Sequence, residues 1–158
     1  RVFALVSRNV QNIETVVSGI LSICAQNAYV LIDSGSTHSY VSHAILRKMN
    51  KPLEPKNYFL AVSSPVGGSM TCAYMYPACE IIVGDVHSYI DLLPLNIDHF
   101  DVILGIDWLT KYHATIDCVT KQVIFRPLGL PEFVFNGVSV VPRPCLISSM
   151  KAIKLIKK

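Results

Sequence analysis

The 158-residue chain has no long hydrophobic run: its unbroken apolar stretches stop at about five residues, as at residues 28–32, against the roughly 18 needed to span a bilayer. No membrane partner is expected. Charge is also scarce, at 16% of residues. The formal net charge of +3 comes from the C-terminal end, where Lys151, Lys154, Lys157 and Lys158 stand without an acid, leaving 10 bases against 11 acids in residues 1–150. A nearly neutral body gives no electrostatic footprint for nucleic acid through this domain. Five cysteines form an odd set at irregular intervals with no Cys-x-x-Cys pair, which argues against a disulfide scaffold or a zinc finger. They read as small buried hydrophobes of a reducing compartment. The five histidines show no His-x-x-x-His or His-Glu-x-x-His grouping, so neither a metal nor another cofactor is expected. No cysteine has an evident histidine partner for thiol catalysis. Initiator methionine, basic n-region and apolar h-region are all missing at Arg1, so the chain reads as a piece of a longer polypeptide and not as a secreted precursor.

What is present, at 51% hydrophobic, suffices for one globular domain with flanking segments. Residues 1–15 read as a leader or linker. Two β-type runs, 16–24 and 28–33, flank Gln26-Asn27 as a tight turn and place Asp33 at the end of a buried strand. Val41, Ile45 and Met49 fall near helical spacing, which predicts a short helix within 39–49. A strand at 58–62 and another at 70–76 flank Ser63-Ser64-Pro65-Val66-Gly67-Gly68, a long hairpin with a glycine tip. Runs at 79–83, 86–93 and 101–104 continue the strand pattern around a Gly84-Asp85 turn. A helical turn at 107–112 is expected to be capped by the Asp107 side chain, and 114–117 with 122–125 make a last hairpin. Trp108 and Tyr112 read as packing residues. Asp85, Asp91, Asp98 and Asp101 read as solvated residues at turns and strand ends. The whole is an all-β, closed barrel with one or two short helices over residues 16–126. Residues 127–158 form a proline-rich connector, with a hairpin signal at Asn136-Gly137, followed by a basic amphipathic helix at 148–158.

Chemistry concentrates in Tyr29-Val30-Leu31-Ile32-Asp33-Ser34-Gly35-Ser36-Thr37-His38-Ser39. A carboxyl at the mouth of an apolar strand is partly desolvated and tends to hold its proton unless partners keep it ionised. Gly35 permits a close backbone approach that a Cβ would forbid, and Ser34 supplies a hydroxyl for bracing a neighbouring chain. On its own Asp33 could equally cap the helix that follows.

Apolar-apolar-Asp-Ser-Gly-Ser-Thr resembles the signature of aspartic proteases, and Asp101-Val102-Ile103-Leu104-Gly105 resembles the second hydrophobic-Gly element that crosses behind the catalytic loop in that family. The fuller run from Phe100 through Leu109, followed by Tyr112-His113-Ala114, is similar to the retropepsin-like domain of Ty3/gypsy-type long-terminal-repeat retrotransposon polyproteins, especially those of plants. The resemblance implies a retropepsin-like barrel and an endopeptidase that cleaves its own polyprotein. Asp33 would be the catalytic carboxyl, with Ser34, Gly35, Ser36 and Thr37 as its supporting loop. Ile103, Leu104 and Gly105 would form the second element, and Pro65, Val66, Gly67 and Gly68 the substrate-covering flap.

One chain carries one Asp-Ser-Gly and an acid dyad needs two carboxyls, so the resemblance also implies a homodimer with a polypeptide substrate. It places the protein in the cytoplasm, in the element's virus-like particle, with residues 127–158 leading toward a reverse transcriptase. One departure matters. Many viral retropepsins have an Arg just after the second Gly, paired with an Asp near the catalytic loop; here Ile106-Asp107-Trp108 stands in its place. The rival reading is a catalytically silent, transposon-derived dimerisation or linker module.

Overall fold

In the computed structural model the described residues are 16–63 and 69–138. The leader, the flap tip at 64–68 and the basic segment at 148–158 lie outside them.

Alternating apolar residues build the first hairpin. Strand β1 (Val17–Ile23) pairs antiparallel with β2 (Gln26–Ile32), with Val17 opposite Ile32 and Ile23 opposite Gln26. The turn is Cys24-Ala25, both at positive φ (46° and 61°), the backbone of a type I′ turn whose twist suits a hairpin. Gln26-Asn27, expected to turn, instead belong to β2. This register puts Val17, Leu21, Ile23, Ala28, Val30 and Ile32 on the core, and a one-residue slip would turn that face outward.

Strand β3 (Tyr40–Ser42) is the first part of the segment expected to be helical. Tyr40 pairs antiparallel with Ile103 of β7 (Val102–Leu104) and parallel with Leu93 of β6 (Val86–Leu95), and all three β3 residues are buried. The helical period survives only as α1 (His43–Leu46), capped by Ser42 Oγ accepting from the Ile45 amide at 3.4 Å. β4 (Glu54–Ser63) starts earlier than expected and holds Pro55, tolerated because β4 lies at a sheet edge.

The two strands expected at 70–76 and 79–83 are one, β5 (Ser69–Val83). It is interrupted between Tyr76 and Cys79, where Ala78 takes φ 45°. Asp91 Oδ1 accepts the Ala78 amide at 2.9 Å, and Lys51 Nζ donates to the carbonyls of Pro77 and Ala78 at 2.6 and 2.7 Å. Asp91 is exposed, as expected, and also braces this irregularity.

The order β1-β2-β7-β3-β6-β5, closed by β5 returning to β1, is a six-stranded barrel with β4 attached outside. Closure is thin, resting on the pairs Ser22–Ile82 and Ile23–Ile81. Below the barrel, α2 (Ile106–Lys111) packs against a second sheet of β8 (Ala114–Asp117), β9 (Gln122–Phe125) and β10 (Phe133–Asn136), ordered β10-β9-β8. The two short helices and the closed all-β barrel agree with the expected fold class. Phe133-Val134-Phe135, expected to pair locally across Asn136-Gly137, pairs with β9 instead, and the Val138 amide donates to Ser18 at 2.9 Å.

One core fills the barrel and continues through Trp108, Phe125, Phe133 and Phe135 into the second sheet. Trp108 is fully buried, meets Phe125 edge-on at 4.8 Å and donates from Nε1 to Ser88 Oγ at 3.3 Å. Phe125 stacks on Phe133 at 4.6 Å. A smaller cluster of Leu31, Tyr40, Val62, Cys72, Leu93 and Ile103 lies between the barrel wall and the β4–β5 hairpin.

Candidate active site

The apolar run of β2 needs a neighbour that is apolar on both faces, and β7 supplies it. The two strands lie parallel, with Val30 opposite Val102 and Ile32 opposite Leu104, so both release their following loops at one end of the barrel. Asp33 is the first residue out. Its amide donates to Leu104 O at 2.9 Å, and its carbonyl accepts the Ser36 amide at 3.2 Å to close the Asp-Ser-Gly-Ser turn. Gly35 N donates to Asp33 Oδ1 at 2.9 Å. The other oxygen, Oδ2, is buried and has no hydrogen-bond partner among the described residues. Burial pushes the carboxyl above the ordinary aspartate range, while the Gly35 and Ser36 amides pull the other way.

The supporting loop is held from behind. Ser36 is buried, its Oγ donates to His38 O at 3.0 Å, and its carbonyl accepts the Ile106 amide at 2.8 Å. Thr37 Oγ1 lies 2.9 Å from His38 Nδ1, and Ser34 is exposed. Ile103 and Leu104 are buried in β7. Gly105 follows directly beneath the loop: a Cβ there would stand 2.7 Å from Ser36 O and closer still to His38 O, both backbone atoms with no freedom to retreat. Pro65, Val66, Gly67 and Gly68 lie outside the described residues. The β4–β5 hairpin that leads to them pairs Leu60 with Cys72 and Val62 with Met70.

Two further residues belong to this assembly. Asp107, expected to cap α2, does not occupy the N-cap, which is Gly105. From the first turn its Oδ2 accepts the Ser39 amide at 2.9 Å, while Oδ1 accepts Ser39 Oγ at 2.7 Å and the Trp108 amide at 2.8 Å. Ser39 Oγ also accepts from the Gly105 amide at 3.0 Å. A carboxylate and a hydroxyl therefore lock the end of the Asp33 loop to α2, at the place where the viral pattern has an Arg. The sequence signal was a hydroxyl six residues after Asp33 and an acid in the first turn of a helix, each common alone.

Tyr40 is the second such residue. It is fully buried, its hydroxyl has no hydrogen-bond partner among the described residues, and burial raises its pKa, with Asp107, Cys72 and Asp33 adding to the rise. Asp101, expected to be solvated, braces the opposite end of the β2–β7 pair: its Oδ2 accepts the Tyr29 amide at 2.9 Å and its carbonyl accepts the Ser42 amide at 2.8 Å.

Among the described residues no group of three or more His, Cys, Asp and Glu side chains gathers as a metal site would. No helix among them is long and apolar enough to cross a membrane.

A closed barrel whose parallel inner strands deliver an Asp-Ser-Gly turn and a hydrophobic-Gly crossing to one end defines the acid-protease fold. A family model described as Retroviral aspartyl protease matches residues 1–129, and the chain belongs to that family. Among solved structures it is similar to EIAV protease complexed with the inhibitor HBY-793, at 22% identity and TM-score 0.54 over 67% of this chain and 96% of that one. It is also similar to the retroviral protease-like domain of Ddi1 from Leishmania major, at 14% identity and TM-score 0.56 over 75% of this chain and 94% of that one.

Proposed function

We propose that this protein is an aspartic endopeptidase that works as a homodimer, with one Asp33 from each chain. The observation that carries the reading is the state of Asp33. One oxygen is held by the Gly35 amide, the other is buried without a partner, and the carboxyl has a raised affinity for a proton. A second carboxyl about 3 Å away would share that proton, because two like charges at that distance cannot both ionise. One Asp33 then takes a proton from a bound water as general base. The other gives a proton to the scissile carbonyl and later to the leaving amine. Ser34, exposed beside Asp33, would brace the facing loop. The hairpin tip from Pro65 to Gly68 would close over an extended peptide and hold it by backbone hydrogen bonds.

The similarity of residues 100–109 to plant Ty3/gypsy elements supports a substrate within the chain's own polyprotein and a workplace in the element's particle. On the same reading, residues 16–126 are the protease unit and 127–158 lead toward a reverse transcriptase. The test is cleavage of a peptide library at about pH 4–6, with and without a pepstatin-type inhibitor, by native protein and by Asp33→Ala. Cleavage by the native protein alone, blocked by the inhibitor, is expected. Cleavage that persists in Asp33→Ala would overturn the assignment, and absence of cleavage at every concentration would favour the silent module.

A further inference from the structure

Cys24 and Cys79, both free thiols, sit next to each other at the seam where the barrel closes. The ladder pairs of that seam are Ser22–Ile82 and Ile23–Ile81, extended by the Cys24 amide donating to Glu80 O at 2.9 Å. Ile23, Cys79 and Ile81 all point into the core. Strand alternation would send Cys24 outward, but its left-handed backbone (φ 46°) breaks the alternation and packs it against that core. The same register, continued by the Cys24 amide on Glu80 O, brings Cys79 beside the turn, where its Sγ donates to Tyr76 O at 3.5 Å. A type I′ turn ordinarily takes Asn or Gly where Cys24 stands, so the residue is not explained by turn chemistry.

We infer that Cys24 and Cys79 are a dithiol site for oxidation by low-molecular-weight disulfides of the glutathione class, yielding a cross-link that staples β1 to β5 across the barrel seam. Cys24, half-buried at the turn, meets the oxidant first. Its thiolate attacks one sulfur of the small disulfide and expels one thiol, leaving a mixed disulfide. Cys79 then loses its proton, attacks the Cys24 sulfur and expels the second thiol. Two protein thiols and one small disulfide thus become one protein disulfide and two small thiols. Burial holds the Cys79 thiol protonated, pushed up to about 12, so the second step is the slow one and a mixed disulfide accumulates. The pair is separated from Asp33 by the length of β2, about 20 Å, so the site stands whether or not the protein cleaves peptides.

The experiment is incubation of the full chain with oxidised glutathione, followed by intact mass and a chymotryptic map, in which the cut after Tyr74 separates Cys72 from Cys79. Expected are the loss of two thiols, a peptide pair joined through Cys24 and Cys79, and a melting temperature higher by about 5–10 °C that returns on reduction. Cys24→Ser and Cys24→Ala, each compared with its own reduced form, should abolish both the joined pair and the shift. No cross-link, a cross-link through other cysteines, or the same thermal shift in the Cys24 variants would overturn the inference.

Discussion

Asp33 carries the main pH dependence of the site, and its sign follows from burial. With a folded pKa above the model-peptide 3.8, the folded chain keeps a proton in a window that begins there and runs upward, where the unfolded chain has already released it. Stability therefore falls as pH rises through that window. Asp33→Asn removes the charge at nearly constant shape, so in dilute protein it should melt above the native chain at about pH 7, with the gap closing as pH falls toward the unfolded value. Thermal scans across that range check it, and a gap independent of pH would contradict the burial argument. Ser39 and Asp107 act as one unit. Ser39→Ala and Asp107→Ala should each cost about 1–3 kcal/mol, because each leaves a buried partner unmet. The double variant should lose clearly less than the sum, as a denaturant double-mutant cycle would show. The place of Asp33 at the end of a buried strand was legible in sequence, since the apolar run of β2 leads straight into it. Asp107 was not: its role depends on Ser39, 68 residues earlier, and no local pattern encodes that meeting.

At the scale of elements, helix α2 is held by its buried ring more than by its length. Six residues are too few for a helix to persist alone, so α2 exists because Trp108 and Leu109 are buried against the barrel and the second sheet. Trp108→Ala should cost about 3–5 kcal/mol, read as a lower denaturation midpoint, with Phe125 losing the ring that meets it edge-on. Gly105→Ala should also destabilise, by about 1–3 kcal/mol or more, since a methyl there meets backbone and not a movable side chain. Strands with clean alternation, such as β6, β8 and β9, were readable from sequence. The segment after Ser39 was misread because Val41, Ile45 and Met49 keep helical spacing while Tyr40 and Val41 are claimed by β6 and β7, partners far away in the chain. The first turn was misplaced by two residues because Cys-Ala lacks the usual turn composition, so only the pairing register reveals it.

For the whole molecule, the proposed chemistry makes activity a property of pairs. Specific peptidase activity should rise steeply with protein concentration and then level off, tracking the dimer fraction measured by sedimentation or light scattering. Activity proportional to chain concentration throughout, with no dimer present, would rule out the shared-proton reading. The barrel class was legible because strands recur at short intervals with turn residues between them. Its closure was not, because β1 meets β5 through so few pairs that neither strand's sequence advertises the other.

The parallel contact of β2 with β7 also sets an order of events during synthesis. β2 leaves the ribosome early, yet the Asp33 turn has nothing to rest on until Leu104, Gly105 and Asp107 have emerged from the exit tunnel. Pairing across such a span is slow, so a growing chain stalled after β6 would leave one edge of β2 open and sticky, the other being held by β1. Chaperone demand during translation should therefore peak between the appearance of β2 and that of α2.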